Sequence, residues 1–210
     1  MFVAGAGLVW LVGAQAAVPL SAADAERLAE LAGERRERFL RGRAALAAAL
    51  REAYGRDDEP RPARCPDCGR RHGPPEFDGG GPFATVSHAG SGSLAAVADV
   101  AVGVDVEARA ARSPDALALP LPAGELDAFQ HWTRIEAVLK ADGRGLRIDP
   151  AAIGFRRASG GVRFATVPGG GVFEVHDVAV PGGYAASLAV AAASRGVSGA
   201  EGTLVAEEST

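Results

Sequence analysis

The sequence predicts an α/β chain of the α+β kind, built as two pseudo-symmetric lobes that are each a small, mostly antiparallel sheet packed by a long helix. Two observations predict it. The order strand, helix, strands occurs twice, once on each side of about residue 100, and each half carries one long helical run beside several short strand runs. A chain of 210 residues that is 48% hydrophobic can bury a substantial core in either half. The expected division is an N-terminal lobe over 1–100, a C-terminal lobe over 101–193 and a mobile tail over 194–210, where apolar periodicity stops.

The opening run MFVAGAGLVWLVGAQAAVPL is apolar and ends in small residues, as a signal segment does, but it has no positively charged start. Three glycines before position 14 also argue against a membrane helix. A buried opening strand is therefore expected, with no membrane association. Ser21 or Asp24 can then cap a helix that ends near Gly33. A second helix follows in ERRERFLRGRAALAAALREAYG, with Phe39, Leu46 and Leu50 on its apolar side and a dense arginine face. The Pro/Gly-rich stretch DDEPRPARCPDCGRRHGPPEFDGGGP predicts a loop or compact turn region. Residues 83–108 then read as strand, turn at Gly90–Gly92, strand and strand. A linker over 108–124 precedes a helix over Glu125–Ala141, stopped by Gly143 and Gly145. The remaining strands are IGFRRA, GVRFATV, GVFEVHDVAV and GYAASLAVA.

Charge and cysteine usage narrow the function. A net charge of -4 speaks against nucleic acid as the main partner. The two cysteines, Cys65 and Cys68, are too close in sequence to staple a secreted fold, which implies a reducing, cytoplasmic setting. With His72 they offer three of the four ligands of a structural zinc, and no second CxxC or HxxH supplies a fourth. A redox role is disfavoured because the CxxC lies in a loop and not at the start of a helix. The arginines at 35, 36, 38, 41 and 43 read either as a solvated helix face or as a surface that steers an acidic partner or a phosphate.

Chemistry concentrates in two segments. In AVGVDVEA the alternation of Val102, Val104 and Val106 predicts a strand that points Asp105 and Glu107 to one face. In HWTRIEAVLK, Trp132, Glu136 and Lys140 recur every four residues and line one side of a helix. Asp105, Glu107 and Glu136 are hard oxygen ligands suited to Mg²⁺, or Mn²⁺ in its place, with waters and substrate phosphates completing the octahedron. Lys140 would then meet a phosphate oxygen. Taken singly, each has a plainer reading: Asp105 and Glu107 as solvated strand-end residues, His88 as a hydrogen-bonded structural histidine, Trp132 as helix packing.

FATVSHAG at 83–90, VGVDVE at 102–107 and WTRIEAVLKADGRGL at 132–146, in this order and spacing, resemble the 4′-phosphopantetheinyl transferases of the surfactin-synthetase-activating, pseudodimeric type. RERFLRGRAAL, HGPP at 72–75 and YAASLAVA agree more softly, so the resemblance covers most of 35–192. It implies the 4′-phosphopantetheinyl transferase fold. It also implies transfer of the phosphopantetheine arm of coenzyme A to a serine of an apo carrier protein, with release of 3′,5′-ADP. Asp105, Glu107 and Glu136 match the family's magnesium positions. Glu136 is the candidate general base, with a Glu107-activated water as the alternative, and Lys140 the pyrophosphate contact. Ser87 and His88 match the position that holds the 3′-phosphate, and Arg38 a further phosphate-binding arginine. The double length implies a monomer and favours polyketide or peptidyl carriers over fatty-acid ones. Two positions depart from the family pattern: Ile135 stands where a basic residue precedes the helix glutamate, and Pro74 where a basic residue stands between glycine and proline, with Arg70 or Arg71 as substitutes. Two rivals follow, a magnesium-dependent phosphohydrolase and a catalytically silent paralogue that only binds coenzyme A.

Overall fold

The computed structural model describes residues 2–3, 5–13, 18–111, 113, 121, 127–158 and 161–192. The expected tail over 194–210 and most of the linker over 108–124 lie outside the described residues. The chain is mixed α and β with antiparallel sheets. Strands β1 (Phe2–Val3), β2 (Ala6–Val12), β5 (Phe83–Ala89) and β6 (Gly92–Ala98) form a sheet in the order β1-β2-β6-β5. Strands β7 (Val102–Ala108), β8 (Gly154–Arg157), β9 (Arg163–Thr166), β10 (Val172–Asp177) and β11 (Tyr184–Ala191) form a second in the order β7-β11-β10-β9-β8. In both, the closing strand (β6, β11) lies between a longer early strand (β2, β7) and the penultimate strand (β5, β10), with β1 added at the edge of the first sheet and β9 and β8 at that of the second. Each half thus builds strand, helix and hairpin with the same pairing.

Three helices complete the described elements: α1 (Ala22–Ala29), α2 (Gly33–Tyr54) and α3 (Ala128–Asp142). Ser21 caps α1 by accepting from the Asp24 N–H at 3.2 Å, which leaves the Asp24 carboxylate for Arg43 of α2 at 2.5 and 2.8 Å. Asp127 caps α3 by accepting from the Gln130 N–H at 3.1 Å, so the helix begins at Ala128. The expected start at Glu125 falls outside the described residues. Gly55 and Gly143 close α2 and α3 in the left-handed conformation that favours glycine. No helix among the described residues is long and apolar enough to cross a membrane.

The period of two in β6 and β11 produces layers. Leu94, Ala96 and Ala98 of β6 and Ala186, Leu188 and Val190 of β11 face one another across an inner core that also takes Leu8, Val102, Val104 and Val106. Trp10 and Tyr184 close its margin edge-on, 5.1 Å between ring centres. On the outer face of the first sheet, Ala95 and Val97 pack under Leu46 and Leu50 of α2. On the outer face of the second, Ala189, Phe173 and Val175 pack under Ile135, Val138 and Leu139 of α3. The order is helix, sheet, sheet, helix, and each fully buried Leu or Val stabilises it by about 1.5–3 kcal/mol.

Three sequence expectations need correction. The stretch read as a loop contains a two-stranded hairpin, β3 (Arg61–Arg64) and β4 (Arg71–Glu76). Pro62 lies opposite Pro75 with a register shift beside them, so neither alternation nor donors mark it as β. Arg41, read as part of a solvated arginine face, is buried and donates to Ser93 Oγ at 3.1 Å and to the carbonyls of Gly13 and Gly90. Ile135, read as replacing a surface contact, lies in the outer core beneath α3, where a basic side chain would be stranded.

Close approach of α3 to β7 depends on Gly103. A Cβ there would sit 2.0 Å from the Ala137 carbonyl oxygen and 2.5 Å from the Ala141 nitrogen, both helix backbone. Gly103→Ala must push the helix off the strand, at an expected cost of about 1–3 kcal/mol. Urea unfolding monitored by circular dichroism checks it, and an unchanged midpoint would show that the approach tolerates a methyl group.

Candidate functional site

The site begins where the two sheets meet edge to edge. Strands β5 and β7 share no ladder of backbone bonds. Instead the hydroxyl oxygens of Thr85 and Ser87 accept from the N–H groups of Val104 at 3.5 Å and Val106 at 3.3 Å. Side chains therefore complete an edge that backbone carbonyls would otherwise answer. Ser87 also donates its hydroxyl proton to Asp105 Oδ1 at 2.8 Å. Lys140 Nζ donates to the same Asp105 oxygen at 2.6 Å and to Ser87 Oγ at 3.2 Å.

Asp105 is 5% exposed, and its Oδ2 is buried with no hydrogen-bond partner. An ionised carboxylate out of water is strongly destabilised unless both oxygens are answered. One oxygen has a hydroxyl and an ammonium; the other has no hydrogen-bond partner, a position that a cation would fit. This is the observation by which the expected metal position fits the residues present.

Helix α3 supplies the opposite wall. Trp132, Glu136 and Lys140 form a half-buried stripe, while Thr133, Arg134, Ile135, Ala137, Val138 and Leu139 are buried. Glu107 is half-buried at the end of β7, and the alternation of the strand puts it on the α3 side with Gly103 and Asp105. Asp105 and Lys140 are in contact, whereas Asp105, Glu107 and Glu136 are not drawn into one ligand shell: among the described residues, the group whose donor atoms converge is Cys65, Cys68 and His72.

A cleft of about 490 Å³ opens from this wall toward α2 and the β3–β4 hairpin. Arg27, Arg43, Arg71, His72, His88 and Lys140 line it with Phe39, Leu139, Pro62, Pro74 and Pro75, and among the described residues none that lines it is acidic. Four of these cations pair with acids, Arg27 with Glu30, Arg43 with Asp24, Arg71 with Glu76 and Lys140 with Asp105. The basic lining suits an anion of nucleotide size with apolar parts. Arg43 also lies over the Phe39 ring at 4.8 Å.

The strand pleat parts the Ser-His pair, since Ser87 turns to Asp105 while His88 turns to α2 and the cleft. Gly42 makes room for the imidazole, because a Cβ there would be 2.5 Å from His88 Cε1. His88 Nδ1 shares a hydrogen bond of 2.8 Å with Ser93 Oγ, the hydroxyl that Arg41 also holds. Burial, reinforced by Arg38, Arg41, Lys140 and Arg43, lowers the His88 pKa to about 4. The ring is therefore neutral at pH 7 and offers hydrogen bonds without charge. Arg38 is 44% exposed, paired to Glu34 at 2.9 Å, and is not among the cleft residues. Sequence reasoning missed Arg27 as a cleft residue and placed Arg43 only in a general arginine face. The available signal was its position one helical turn after Phe39. Of the two substitutes for the basic residue missing at Pro74, Arg71 lines this cleft.

No family model matches the chain, and no curated protein matches it.

Two outcomes follow from these charges. Lys140→Met leaves a buried carboxylate with one donor fewer and should cost about 1–3 kcal/mol, read as a lower urea midpoint that Asp105→Asn in the same chain largely restores. His88 has a folded pKa below the ordinary imidazole value, so the unfolded chain takes up the proton first as the pH falls. Stability should therefore drop between about pH 6.5 and 4 by up to about 3 kcal/mol from this group. Unfolding midpoints across that range should fall less steeply in a His88→Gln variant, and identical slopes would contradict a neutral buried ring.

Proposed function

We propose that this protein transfers the 4′-phosphopantetheine arm of coenzyme A to a serine of an apo acyl, polyketide or peptidyl carrier protein, and that its fold is the pseudodimeric 4′-phosphopantetheinyl transferase fold. The observation that carries this reading is the unanswered Oδ2 of Asp105, held beside Lys140 at the edge of a basic cleft. The resemblance of residues 83–90, 102–107 and 132–146 to that family supports it.

Asp105, Glu107 and Glu136 would hold Mg²⁺ or Mn²⁺, which when bound neutralises charge on the pyrophosphate. The remaining work falls to the chain. Arg43, Arg71 and neutral His88 bind the phosphates and adenosine end in the cleft, Phe39 and Pro74 packing against its apolar parts. Lys140 exchanges its bond to Asp105 for a phosphate oxygen and stabilises the charge that builds there. Glu136 accepts the proton of the carrier serine as its Oγ bonds to the β-phosphorus. The phosphorus–oxygen bond to 3′,5′-ADP then breaks, and 3′,5′-ADP leaves with the electron pair. The reading takes the protein as a monomer, supported by the inner core that both sheets share.

Intact mass of apo carrier proteins after incubation with this protein, coenzyme A and Mg²⁺, beside an EDTA control, tests the reaction. A metal-dependent gain of one phosphopantetheine is expected. Coenzyme A binding without transfer to any carrier class would favour a silent binding protein, and phosphate release without a carrier a phosphohydrolase. Glu136→Gln should lower transfer by about 10²–10⁴-fold, the usual worth of a positioned base, with coenzyme A still bound. Undiminished transfer would remove Glu136 from that role.

A further inference from the structure

The β3–β4 hairpin has almost no core of its own: Arg61 to Glu76 at 2.9 Å and Arg71 to the Pro62 carbonyl at 3.2 Å join its strands through side chains that are partly open to solvent. It is two short strands with a proline opposite a proline, and Pro62 is its one buried residue. A two-stranded ribbon of this size is marginal in water without a further staple. Yet it forms one wall of the basic cleft through Pro62, Arg71, Gly73, Pro74 and Pro75.

Its tip supplies a staple. Cys65 Sγ, Cys68 Sγ and a ring nitrogen of His72 lie within 4.8 Å of one another, and Cys68 Sγ is 3.0 Å from His72 Nε2. The backbone makes this convergence. The Gly69 N–H donates to the Cys65 carbonyl at 2.8 Å and the Cys65 N–H to the Arg70 carbonyl at 2.8 Å, which closes a tight turn. Gly69 has φ of +70°, which favours glycine directly after the second cysteine. Both thiols are free, and Cys68 and His72 are exposed, so a metal can reach them. Asp67 Oδ2 lies 3.8 Å from Cys65 Sγ and 3.1 Å from Arg147 Nη1, which ties the turn to the segment after α3, beside the cleft residues Gly143 and Gly145.

We infer that Cys65, Cys68 and His72 bind one Zn²⁺, with solvent in the fourth position, and that this ion sets the shape of the hairpin wall. Two soft thiolates and an imidazole select zinc over the hard cation expected at Asp105. Binding displaces the two thiol protons to solvent, and no electron moves. The ion replaces the core that the hairpin lacks and joins both of its strands to the turn.

The test uses the full chain, reduced and purified, then loaded with zinc and exchanged into metal-free buffer. About one zinc per chain is expected by mass spectrometry of the metal, and Co²⁺ in its place should give the visible bands of tetrahedral thiolate ligation. Titrating the wild-type thiols with a mercurial should release the zinc in step with modification of Cys65 and Cys68. Chelation should speed amide exchange across 61–76 while α2 and α3 stay protected. Cys68→Ser and His72→Ala should each lose the ion, and the wild-type titration answers the same question if either fails to fold. Absence of zinc from the reduced chain, binding that survives loss of both cysteines, or a Cys65–Cys68 disulfide that forms in preference to the zinc complex would overturn the assignment. None of these readouts depends on transferase activity.

Discussion

A carboxylate buried where two sheets abut has to be answered on the spot, and Asp105 imposes that constraint on everything around it. It requires a hydroxyl on the facing edge strand, which Ser87 supplies, and a cation from above, which Lys140 supplies. Lys140 reaches it because α3 lies directly on β7, and the helix can lie there because residue 103 has no side chain. The same Ser87 hydroxyl accepts from Val106 and stitches the two sheets where no ladder joins them. Replacing Asp105 and Lys140 together by apolar residues of equal volume is of a kind often neutral for stability, whereas Ser87 must keep its hydroxyl for the Val106 N–H. What that exchange would remove is a charged, partly unsatisfied group at a fixed place.

The inner core makes that placement rigid. Leu8, Leu94, Val104, Val106 and Leu188 are essentially inaccessible to water, and they lock the sheets face to face. The edges β5 and β7 are consequently held in register without backbone pairing. The cleft inherits its positions from the same framework: α2 sets Phe39 and Arg43, β5 sets His88, and α3 sets Lys140. The described lining is basic inside a chain whose net charge is -4. Overall charge therefore excluded little about the local surface, whereas a neutral His88 among arginines shows how burial decides which groups are charged.

Legibility differed by element for physical reasons. The opening strand and β11 are legible as short apolar runs and α2 and α3 as long proline-free stretches, and the ends of α1, α2 and α3 are marked by Ser21, Gly55 and Gly143. The β3–β4 hairpin was read as a loop because prolines and arginines mask any alternation, and its pairing rests on ions and turn geometry. Arg41 was misplaced because a run of arginines has no internal sign of which one turns inward to Ser93. Ile135 was judged against a family pattern when its own helix phase, in step with Val138 and Leu139, points it to the core.

By itself the sequence determined the α+β class, the twofold recurrence of strand, helix and strands, and the faces that carry Asp105 with Glu107 and Trp132 with Glu136 and Lys140. These are local, periodic properties of a chain and need no partner to be read. Tertiary structure alone decided that Ser87 and His88 serve different places, that Arg43 and Arg71 line the cleft in preference to Arg38, and that Cys65, Cys68 and His72 converge. Those outcomes depend on contacts between residues far apart in sequence or on the turn of a loop, where hydrogen bonds, burial and steric room, rather than residue type and spacing, choose the geometry.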